Sequence, residues 1–259
     1  AAPPSSAVQQ LQSAYHAHLQ LVSGEAENTY RAACVYYRAE LQSVLPTDRS
    51  ARIAEVGCGF GHLLRFLAEQ GFTELTGCDL DADLAAATAT RLSGRADVHH
   101  AEARSFLASA TGRFDLVLAY DILEHFDLDG ALAFAAAARS SLRPGGTVVF
   151  RTPNMANLLG GYSRYMDLTH RIGFTEQSAA QLLRAAGFTT IAVVPTQHEP
   201  GPLRDALLQS QRLHEQMFAQ QDRSRPTCFD KNLVIAATVP VVTGTLSSAR
   251  EPVRERALR

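Results

Sequence analysis

Hydrophobic and polar positions along the chain alternate between two periods. Short strand-like runs bounded by glycine or polar turns lie at 51–57 (ARIAEVG), 74–80 (ELTGCDL), 96–102 (ADVHHAE) and 114–122 (FDLVLAYDI). Three more follow at 145–153 (GGTVVFRTP), 189–196 (TTIAVVPT) and 232–240 (NLVIAATVP). Between them, apolar residues recur at helical spacing over 62–71, 82–94, 128–142 and 178–188, with Gly71 as a stop for the first. Strands alternating with helices predict βαβ units, and so an α/β doubly wound fold with a seven-stranded, mainly parallel sheet.

The flanks read differently. Residues 7–45 carry helical periodicity ending at Pro46, which makes 1–45 an N-terminal helical cap on a domain over 46–240. A polar, Gln/Arg-rich helical insertion is expected at about 203–222, and a disordered tail over 241–259.

Composition narrows the partners. The 259 residues carry 24 basic against 26 acidic side chains, so no basic footprint points to nucleic acid. The cysteines Cys34, Cys58, Cys78 and Cys228 lack metal or disulfide spacing, and no apolar run reaches the roughly 18 residues of a membrane span. The opening AAPPSSA has no signal-peptide pattern, so the expectation is a cytoplasmic protein, monomer or homodimer, that acts on a small molecule.

The chemistry starts at EVGCGFGH, where a strand runs through Gly57, Gly59 and Gly61 into a helix. Glycines there let a ligand approach the backbone, and the helix N-terminus offers unpaired N–H groups. A dinucleotide fingerprint would need glycine at 62, where the chain has His62, so a nicotinamide cofactor is disfavoured.

With Glu55 before the glycines, the segment resembles the first motif of class I S-adenosylmethionine (SAM)-dependent methyltransferases, which have a Rossmann-like sheet. The resemblance spans about residues 36–195. It implies cofactor contacts by Glu55, Gly57, Cys58, Gly59 and Gly61, and by Asp79 on the ribose hydroxyls beside Leu80. It further implies Glu102 or Ala103 at the adenine and Tyr120 at the end of the fourth strand. Arg38 matches an arginine of the quinone-biosynthesis relatives that pairs with the methionine carboxylate, although a solvated helix arginine reads equally well.

Beyond the fourth strand stand Asp121, Glu124 and His125. In the ubiquinone-biosynthesis type of O-methyltransferase an acid-x-x-Glu-His is associated with a divalent metal, so Mg2+ is a candidate cofactor. The preferred reading is metal-free: Asp121 as an N-cap and Glu124 completing a capping box. His125, as an imidazole titrating near neutrality, is the candidate base, and His170 the second catalytic candidate. Thr169, His170, Phe174 and Thr175 follow a pattern shared with those relatives and with methyltransferases acting on sugars and polysaccharide ends. Arg164, Tyr165 and Asp167 are the substrate-binding candidates. The expected reaction is O-methylation of a sugar, phenol or secondary metabolite. The alternatives are N- or C-methylation, or a SAM-binding regulatory module without turnover.

Overall fold

The computed structural model describes residue 24, residues 26–219 and residues 226–241. The expected tail beyond 241 and the helical reading before residue 24 lie outside the described residues. Seven strands form one sheet: β1 Ile53–Val56, β2 Leu75–Asp79, β3 Asp97–His100, β4 Phe114–Tyr120, β5 Leu142–Pro153, β6 Thr190–Val193 and β7 Asn232–Thr238. Their order is β3-β2-β1-β4-β5-β7-β6, with β7 antiparallel to both β5 and β6. The seven-stranded, mainly parallel expectation holds.

The helices are α1 Glu27–Leu41, α2 His62–Glu69, α3 Ala82–Arg91, α4 Ala103–Ser109, α5 Leu128–Ser141, α6 Gly160–Tyr165, α7 Glu176–Ala185 and α8 Pro202–Ala219. Two of them, α4 and α6, were not expected from the pattern. Each is two turns or less, too short for a 3.6-residue period to show.

Side chains alternate between two apolar layers along the central strands. Ala54, Val117, Ala119, Val148 and Phe150 face a layer with Phe134 of α5. Ile53, Leu116, Leu118 and Val149 face a layer with Tyr37 of α1 and Leu64 and Leu67 of α2. Coverage on both faces is why these strands read as nearly unbroken apolar runs. The same alternation assigns the polar residues: Glu55, Tyr120 and Arg151 fall in register with the α1/α2 layer, and Thr152 with the other. The order reverses between β1 and β4, where ligands of such sheets bind, beyond the carboxyl ends of the strands. Among the described residues no helix is long and apolar enough to cross a membrane.

Candidate functional site

The glycine turn is held from below. Gly57, Gly59 and Gly61 all have left-handed φ (+70°, +47° and +71°), a conformation that costs other residues about 1–2 kcal/mol. A Cβ on Gly61 would lie 2.4 Å from Thr88 Cγ2. The amides of Gly57 and Cys58 donate to the Cys78 carbonyl at 2.8 and 3.0 Å, and Thr88 Oγ1 donates to the Gly59 carbonyl at 2.7 Å. Cys58 and Cys78 are buried, and burial pushes the Cys78 thiol up to about 12, so both serve packing.

The carboxylates expected at the cofactor have definite partners. Asp79 accepts from Gly59 N at 2.7 Å and Asp81 N at 2.9 Å, and its burial raises its pKa against those bonds. Glu55 accepts from Leu64 N at 3.1 Å, capping the first turn of α2 from beneath the turn. Burial holds its pKa well above the usual carboxylate range. Glu102 caps α4 by accepting from Ser105 N, and also pairs with Arg104 at 2.9 Å, so its carboxylate is committed to the helix start. Ala103 is buried, Leu80 is exposed, and Arg38 is exposed on α1 between the buried Tyr37 and Glu40.

Beyond β4 the structure departs from the capping-box expectation. Asp121 takes a left-handed φ of +53°, and its carboxylate pairs with the Arg151 guanidinium of β5 instead of capping a helix. Only a 3-10 turn, Leu123–His125, follows; α5 starts later, with Asp127 as its cap accepting from Gly130 N at 2.9 Å. Arg151 also meets Glu40 of α1 at 3.4 Å and lies 4.4 Å from the Tyr120 ring centroid. An arginine inside an apolar strand was the signal for this buried junction, and the sequence reading assigned it no part.

The turn delivers Glu124 and His125 to a loop carrying His170. Ligand atoms of Glu124, His125 and His170 lie within 4.8 Å of one another, which replaces Asp121 of the expected metal set with His170. Glu124 is 1% exposed, and neither carboxylate oxygen has a hydrogen-bond partner among the described residues. Burial first, and the Asp121 charge second, push its pKa well up. The Glu124 carbonyl accepts from Arg171 N and Ile172 N at 2.7 and 3.1 Å, which fixes the second loop against the first.

Hydrogen bonds set the tautomers. His170 Nδ1 donates to the Ser163 carbonyl at 3.1 Å, so its Nε2 carries the lone pair, 4.0 Å from Glu124 Oε1. Thr169 Oγ1 gives its proton to Asp167 at 2.7 Å and so accepts from His125 Nδ1 at 2.8 Å. Burial opposes ionisation of Asp167, but the Thr169 hydroxyl and amide hold its carboxyl below the usual range. The two imidazoles meet edge-on at 4.8 Å. His125 does not titrate near neutrality: burial, with His170 next to it, lowers its pKa to about 4. Of the other substrate candidates, Arg164 donates to the Arg171 carbonyl at 2.9 Å and Tyr165 stands exposed beside it.

The residues present fit the SAM implied by the resemblance, and a divalent ion other than the expected Mg2+. The glycine turn is a cradle that side chains would fill, and Ile122 seats the β4 exit 3.2 Å from where a Gly57 Cβ would be. An orphaned carboxylate with two imidazole nitrogens suits a divalent ion such as Zn2+ or Fe2+ better than Mg2+, which prefers oxygen donors.

A family model described as a methyltransferase domain matches residues 28–193. The ubiquinone biosynthesis O-methyltransferase of Aromatoleum aromaticum is 40% identical over 115 residues, 41% of this chain and 48% of that protein. The trans-aconitate 2-methyltransferase of Streptomyces avermitilis is 34% identical over 115 residues, covering 42% and 41%. The alignments thus span about half the length of the curated relatives or less. A SAM-dependent methyltransferase from Archaeoglobus fulgidus shares the fold with a TM-score of 0.59 at 19% identity, over 82% of this chain and 97% of that one. A SAM-bound phosphoethanolamine N-methyltransferase 2 of Haemonchus contortus gives 0.58 at 15% identity, over 87% and 60%. The chain belongs to the methyltransferase-domain family, of the class I SAM-dependent type.

Proposed function

We propose that the domain transfers the methyl group of SAM to a hydroxyl of a small molecule. The observation that carries this reading is the group of Glu124, His125 and His170, its carboxyl buried and its imidazoles half-buried, in which Glu124 stands two residues beyond the Ile122 that packs on the glycine turn. The relatives named as ubiquinone biosynthesis O-methyltransferases support oxygen as the acceptor atom.

Bound SAM supplies an activated methyl on a cationic sulfur. The glycine turn and Asp79 hold its adenosine, so the acceptor's approach becomes a matter of positioning. The hydroxyl oxygen forms the new C–O bond as the C–S bond breaks, leaving S-adenosylhomocysteine and the methyl ether. His170 Nε2 takes the hydroxyl proton, with the Glu124 carboxyl 4.0 Å from it. His125, neutral at pH 7, lines the same wall and is kept in orientation by Thr169 and Asp167. A divalent ion held by these three residues would supply a lowered hydroxyl pKa.

A screen of hydroxylated acceptors by SAM-dependent mass gain tests the reading. With an accepted substrate, His170→Ala is expected to lower kcat by about 10²–10⁴ while the Kd for SAM stays unchanged. Unchanged kcat in His170→Ala and Glu124→Gln together would remove the base from the reaction. Loss of activity on chelation, restored by Zn2+ or Fe2+, would assign the three residues to a metal instead.

A further inference from the structure

A hollow lies at the carboxyl edge of the sheet, beside the exit of β6. It measures about 550 Å³, within the range of small-molecule sites, and lies under α8. Arg204, Leu207, Leu208 and Gln211 line it, spaced i, i+3, i+4 and i+7, so one face of α8 looks into the cavity. No residue of this 18-residue helix is buried, so its apolar stripe roofs open space rather than a core.

The opposite wall consists of the exit of β6 and the approach to β7. His198 Nε2 and Asp230 Oδ1 lie 2.7 Å apart and tie these two segments together. Phe229 of the same wall packs at a tilt on His214 of α8, with the ring centroids 4.7 Å apart. Asn154, buried immediately after β5, donates to the carbonyls of Cys228 and Asp230, both at 3.0 Å, and bridges to Phe174. One residue therefore joins the cavity wall to the segment that carries His170.

The lining also carries charged side chains. Asp230 is met by His198, whereas Arg204 has no ion pair among the described residues. A cavity with an apolar stripe, an arginine without an ion pair among the described residues and a wall tied through Asn154 to the segment that carries His170 suits one kind of ligand. We propose that it receives the end of the acceptor remote from the methylated hydroxyl, and that this end is an apolar body carrying a single carboxylate. The inference rests on the methyltransferase reading above and names its acceptor class.

The test compares two probes, 3,4-dihydroxycinnamate and its methyl ester, binding to the full chain loaded with S-adenosylhomocysteine. The acid is expected to bind at least tenfold more tightly than the ester. Arg204→Gln should bring the acid down to the ester's affinity, and Leu208→Trp, which fills the hollow, should weaken both. The Kd for SAM should stay the same in each variant. Equal binding of acid and ester, a preference that survives Arg204→Gln, or no saturable binding of the acid overturns the proposal while leaving the methyltransferase reading intact. Failure of the wild-type chain to bind SAM would overturn both.

Discussion

The His125 imidazole lies edge-on to the His170 ring and half-buried, and its pKa falls from the ordinary 6.5 to about 4. Between those values the unfolded chain binds a proton that the native state refuses, so stability rises with pH across the window and is lost as pH drops from 6.5 towards 4. The shift corresponds to on the order of 3 kcal/mol. Denaturant unfolding at pH 7 and pH 5 should show this loss in the native protein and a smaller one in His125→Asn. Glu124 has the opposite sign: its native pKa is raised, so ionising it costs stability as pH climbs past the ordinary carboxylate value. Glu124→Gln should therefore be more stable than the native protein at pH 8 and show a flatter profile on that side. None of this was legible from residue types. The pattern DILEH names the groups, but only burial distinguishes a near-neutral base from an imidazole that stays uncharged.

At the scale of elements, the glycine turn was readable because its demand is on the backbone. Three left-handed residues between a strand and a helix leave few side-chain choices, and the spacing shows it. What the spacing does not show is that Gly61 also meets α3. Gly61→Ala should cost both the left-handed penalty of about 1–2 kcal/mol and the contact with Thr88 Cγ2. Thr88→Ser deletes that methyl but keeps the hydroxyl on the Gly59 carbonyl, so in the Gly61→Ala background it should recover the contact share alone. Full recovery would mean that the backbone conformation carries no cost; no recovery would mean that α3 does not limit the turn. The β4 exit was misread for a related reason. Asp followed by Glu at the third position is the signature of a cap, and what overrode it was Arg151, from a strand 30 residues away. Long-range pairing of this kind leaves no local pattern.

For the whole molecule, the order of the strands was readable because every central strand is covered on both faces, so each reads as an apolar run. The family model ends at residue 193, where β6 ends, so β7 and α8, which complete the carboxyl edge, lie outside it. The part of the fold that carries the glycine turn is thus the better marked one, and it yields a test independent of any acceptor. A ligand that binds only the native state adds RT ln(1 + [L]/Kd), about 2.7 kcal/mol at a hundredfold excess over Kd. For a domain of this size that raises Tm by roughly 5–10 °C. SAM should give such a shift and NAD none, since His62 stands where a dinucleotide turn needs glycine. Asp79→Ala removes the carboxylate that holds Gly59 N, and it should abolish the shift without changing the sheet. If NAD stabilises the chain and SAM does not, the cofactor assignment fails. If Asp79→Ala keeps the full SAM shift, the cofactor is held by the turn's backbone alone.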